Sequence, residues 1–80
     1  MPKIVALSSC SIHVYAGDHA PPHFHIRGAD TRVSVNIVTL EILKGKKYSK
    51  RDLQAALEWA VKPENRKRLL TEWSRLNGRD

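Results

Sequence analysis

Between residues 3 and 37 the chain alternates apolar and polar side chains, and from residue 49 onward its apolar residues fall three and four apart. The first period is that of a strand with one buried face, the second that of an amphipathic helix. "KIVAL", apolar and β-branched, predicts a first strand that stops at Ser8-Ser9. "SIHVYA" sets Ile12 and Val14 against His13 and Tyr15. "PHFHIR" sets Phe24 and Ile26 against His23, His25 and Arg27, and "TRVSVNI" sets Val33, Val35 and Ile37 against Arg32, Ser34 and Asn36. All three predict half-buried antiparallel strands.

The turn signals between these runs can be tested for register, because a slip of one residue would send the apolar set to solvent. If "GDHAP" closes the first hairpin, Val14 faces Phe24, Tyr15 faces His23 and His13 faces His25. If "GADT" closes the second, Arg27 faces Arg32, Ile26 faces Val33, His25 faces Ser34 and His23 faces Asn36. Both hairpins keep the apolar residues on one side. After Ile37 the inward parity moves to Leu40 and Ile42, which predicts a bulge or break near Val38-Thr39.

Ser49 with Asp52 three residues later resembles a capping box, and Leu53, Ala56, Leu57, Ala60 and Val61 follow on one helical face. Pro63 suits the first position of a second helix, Leu69, Leu70, Trp73 and Leu76 supply its stripe, and Gly78 can end it. The predicted fold is a single α+β domain over residues 1–80. It has an antiparallel sheet of three to four strands in residues 1–43, then a basic part, residues 44–80, whose two helices pack on the sheet's apolar face.

Composition adds two constraints. One cysteine, Cys10, allows no internal disulfide and no thiolate-rich zinc knuckle, and no run approaches membrane-spanning length, so a cytoplasmic protein without a membrane partner is expected. The 14 Lys and Arg exceed the 8 Asp and Glu, a net charge of +6, and the whole surplus lies after residue 43. Such a half suits an acidic partner, nucleic acid or protein, and equally suits a solvated helical surface.

All four histidines lie in "HVYAGDHAPPHFHI", residues 13 to 26. With the register above, His13, His23 and His25 share the outer face of the sheet, and Asp18 and His19 stand in the loop beside them. Three readings follow. The residues His13, His19, His23, His25 and Asp18 are the donor types of a divalent transition-metal site such as zinc. His23 and His25 are an acid–base pair for metal-independent, ribonuclease-like cleavage of a phosphodiester, with Arg27 and Arg32 stabilising the charge. Or the histidines are solvated strand residues without chemistry. "KGKKYSKR" places Lys44, Lys46, Lys47, Lys50 and Arg51 around Tyr48, a composition suited to phosphate contacts and base stacking, and with Arg27 and Arg32 these are the candidate nucleic-acid-binding residues.

The segments "MPKIV", "DHAPPHFHI", "LKGK" and "LLTEW" resemble the small bacterial proteins of the domain of unknown function 4160 family, most specifically at His19, Pro21, Pro22, His23 and His25. The resemblance implies a small protein partner of the domain of unknown function 2442 type, in a toxin–antitoxin-like module, and a nucleic-acid target, RNA or DNA. It implies no catalytic residues. The expected function is therefore a small basic component of such a module. A histidine-dependent enzyme, metal-assisted or not, and a non-catalytic metal-binding module are the alternatives.

Overall fold

The computed structural model describes residues 3–17 and 19–77, with Lys46 described through its backbone alone. Five strands come first, β1 (Lys3–Ala6), β2 (Cys10–His13), β3 (His23–Gly28), β4 (Thr31–Asn36) and β5 (Ile42–Lys47). Two helices follow, α1 (Lys50–Ala60) and α2 (Pro63–Asn77). The strands form one antiparallel sheet in chain order, β1-β2-β3-β4-β5.

The register is the one the alternation requires. His13 pairs with His25 and Ile12 with Ile26 across β2 and β3; His23 pairs with Asn36, His25 with Ser34, Ile26 with Val33 and Arg27 with Arg32 across β3 and β4. Ile12, Val14, Phe24, Ile26, Val35 and Ile37 are fully buried, in one cluster with Ala56 and Ala60 of α1 and Leu69 and Trp73 of α2. Leu53, Leu57, Leu70 and Leu76 pack against that cluster half-buried. Val61 departs from its expected place on the apolar face: it is the C-cap of α1 and is 54% exposed. Gly78, expected to end α2, lies outside the described residues.

The expected count of three to four strands is corrected to five. The expected boundary between sheet and basic part at residue 43 falls inside β5. "ILKGKK" lacks alternation and is poor in β-formers, so its own sequence does not announce a strand. It is held by pairing to β4, with Ser34 opposite Lys44 and Arg32 opposite Lys47. Gly45 makes this pairing possible: its φ is +155°, and a Cβ there would stand 2.7 Å from a Val33 methyl. The parity change after Ile37 is a turn into this strand rather than a bulge. Asn36 Oδ1 accepts the Val38 and Thr39 amides at 2.7 and 2.9 Å, and Leu40 takes the left-handed conformation at φ +63°.

α1 starts as its capping signal requires, with Ser49 Oγ accepting the Asp52 amide at 3.0 Å. The Asp52 carboxylate also reaches beyond the helix to the sheet. Only 4% exposed, it accepts the hydroxyls of Ser9 and Thr31, the latter at 2.7 Å, while Thr31 Oγ1 itself accepts the Ser49 amide at 3.0 Å. One buried carboxylate thus ties the β1–β2 turn, the start of β4 and the start of α1 together.

Candidate nucleic-acid interface

Because successive strand residues point to opposite faces, burying Ile12, Phe24, Ile26, Val33 and Val35 commits His13, His25, Arg27, Arg32 and Ser34 to the outer face of the sheet. Four ring contacts order this face and its edge. His13 stacks on Tyr15 with centroids 5.8 Å apart, Tyr15 meets His25 at 4.6 Å, His25 meets His23 at 5.0 Å, and His23 meets Trp73 of α2 at 5.0 Å. Tyr15 also accepts a hydrogen bond from Arg27 at 2.9 Å.

The ring packing bears on two of the sequence expectations. Among the described residues, no group of three His, Cys, Asp or Glu is placed to hold a metal ion. Tyr15 contacts both His13, nearly parallel at 13°, and His25, tilted at 59°. Asp18, the carboxylate expected among the metal ligands, lies outside the described residues. The His23 and His25 rings meet edge-on at an interplanar angle of 67°. The two imidazoles expected as an acid–base pair are thus direct neighbours, with centroids 5.0 Å apart.

The ring nitrogens differ in environment. His23 Nδ1 donates to the Pro21 carbonyl at 2.8 Å, which sets its neutral tautomer. His13 Nε2 lies 2.8 Å from Ser11 Oγ, whereas its Nδ1 is buried without a hydrogen-bond partner. Burial, and then the positive charges of Arg27 and Lys3, hold the His13 imidazole below its ordinary pKa.

The cations form a row across the face. Arg27 of β3 stands opposite Arg32 of β4, which stands opposite Lys47 of β5. With His25, Ser34 and Lys44 they line an open groove of about 460 Å³ whose walls, among the described residues, include no carboxylate. Asp30 reaches Lys47 at 3.8 Å with both side chains over two-thirds exposed, a pairing of little energy. The basic run is divided by the fold. Lys44 and Lys47 reach the groove from β5, while Tyr48, Lys50 and Arg51 are exposed beyond it, lining neither the groove nor the hollow beside it. Nothing is described of the Lys46 side chain. His19, expected near the other histidines, lies with His23 in that adjoining shallow hollow of about 250 Å³.

Sequence reasoning named Arg27, Arg32, Lys44 and Lys47 as candidate nucleic-acid contacts, but their meeting in one groove needs β5, which it did not foresee.

The model of the domain of unknown function DUF4160 matches residues 10–74, from the first residue of β2 into α2, and the chain belongs to that family. No curated protein and no solved structure matches the chain significantly.

Proposed function

We propose, for this member of the DUF4160 family, a role as the small nucleic-acid-binding component of a toxin–antitoxin-like pair, working through the outer face of its sheet. The observation that carries the binding is the row Arg27, Arg32, Lys47. Like charges set directly opposite each other across strands cost stability, and here two such pairs adjoin in a groove whose walls, among the described residues, hold no carboxylate. A run of phosphates bridging them turns that cost into affinity. The rings of Tyr15, His13 and His25 on the same face are the flat, polar-edged surfaces on which bases stack, which favours a single strand over a duplex. The protein partner is drawn from the family resemblance.

The test is fluorescence anisotropy with a labelled single strand of about twelve nucleotides, titrated at about 50 and 200 mM salt. Wild type binds more weakly at the higher salt, each released counterion contributing about 0.7 to the logarithmic slope. Arg27→Glu and Arg32→Glu lower both the affinity and the slope. Affinity and slope unchanged in both variants would reject the interface. Shortened RNA recovered from wild type, but intact RNA from His25→Ala, would move the reading to a histidine-dependent ribonuclease.

A further inference from the structure

We infer that the outer face reads a nucleotide step in two parts, a phosphate in the cationic groove and the neighbouring base in the adjoining hollow of the β2–β3 loop. This rests on the nucleic-acid reading above and specifies its ligand. The two concavities share Ser34 and Lys44, so they are neighbours across one wall, but their chemistry differs. The groove has Arg27, Arg32 and Lys47. Among the described residues the hollow has neither arginine nor carboxylate, and beside the shared Ser34 and Lys44 it is lined by His19, His23, Pro21 and Leu43. Planar and apolar residues with imidazole edges suit a base, which has an apolar face and a polar rim.

The wall itself fits the same division. Ser34 Oγ donates to the Lys44 carbonyl at 3.3 Å, fixing β5 against β4 where the two concavities meet. Lys44, exposed there, lines both and can follow the backbone from one to the other. His23 is held at the rim by its bond to the Pro21 carbonyl and by the Trp73 ring behind it. Leu43, 43% exposed, is an apolar side chain whose coverage by a base removes it from water.

The experiment compares an oligouridylate with an abasic strand of the same length and charge, each labelled at one end, by anisotropy at fixed salt. Wild type should bind the oligouridylate about five- to a hundredfold more tightly than the abasic strand, the range expected for one stacked base. His19→Ala and Leu43→Ser, both at exposed positions, should lower that ratio several-fold while leaving abasic-strand binding unchanged. Arg32→Glu should weaken both probes together. Circular dichroism of each variant confirms the fold. Equal wild-type affinity for the two strands would overturn the base hollow and leave the cationic groove standing. A ratio that survives in both hollow variants would also overturn it. Failure of wild type to bind either probe would reject the underlying nucleic-acid reading as well.

Discussion

Asp52 and His13 both keep a charge-bearing group out of full solvent contact, and they respond to acid for opposite reasons. The Asp52 carboxylate is held below its ordinary pKa mainly by the hydroxyls of Ser9 and then Thr31. A depressed carboxyl contributes stability above its unfolded pKa of about 3.9, and that contribution is lost as pH falls through the lower folded value. Asp52→Asn should lower the melting temperature by several degrees at neutral pH and flatten the acid limb of its pH dependence, as read by circular dichroism. An unchanged acid limb would show that the network carries no linkage. The His13 pKa is also depressed, by burial and then by Arg27 and Lys3. The unfolded chain takes up this proton first, so stability falls as pH drops below about 6.5 toward the folded pKa. His13→Gln should remove the decline in melting temperature between about pH 7 and pH 5, and persistence of the full decline would assign it elsewhere. The candidate role of Asp52 was legible only in part. Ser49 and Asp52 three apart signalled a cap, which formed, but the carboxylate's partners are 43 and 21 residues away and leave no local pattern.

At the level of strands, a conflict between folding and function sits in the pairs Arg27–Arg32 and Arg32–Lys47. Arg32→Glu converts two like-charge pairs into two opposite-charge pairs, each a change of about 0.2–1 kcal/mol. It should raise the melting temperature at low salt, the gain shrinking as salt is added, in the same protein that loses nucleic-acid affinity. A fall in stability would mean that the guanidinium makes a structural contact. The arginine pairing was readable beforehand, because "GADT" fixes a hairpin and the alternation on either side tolerates one register. β5 was not: "LKGKK" carries neither alternation nor β-branched residues, and its strand state is imposed by the exposed edge of β4. Its lysines are those found on sheet edges, where they discourage pairing with another chain.

Across the whole molecule, the helices bury one face of the sheet and leave the other to Arg27, Arg32, Lys44 and Lys47, while the helices carry further cations such as Lys50, Arg51, Arg66, Lys67 and Arg68. The layered arrangement followed from the change of hydrophobic period near residue 49, the most robust signal in the chain. The convergence of the two concavities did not, since it depends on the path of the β2–β3 loop across the end of the sheet. If the chain works as one of a pair, native mass spectrometry after co-expression with its neighbouring gene should give a complex of fixed stoichiometry. A bare chain alone, from a preparation containing both products, would remove the pair from the proposal.

The strands follow one another across the sheet in the order in which they are joined, and both helices come last. During synthesis the meander of residues 3–47 therefore leaves the ribosome with Phe24, Ile26 and Val35 uncovered, and stays so until Leu69 and Trp73 emerge. Arg68 donates to the Ile4 carbonyl at 2.8 Å, so closing the layer joins α2 to β1. A nascent chain halted between β5 and α2 has no cover for that apolar surface, and for that interval it is a natural client for a chaperone.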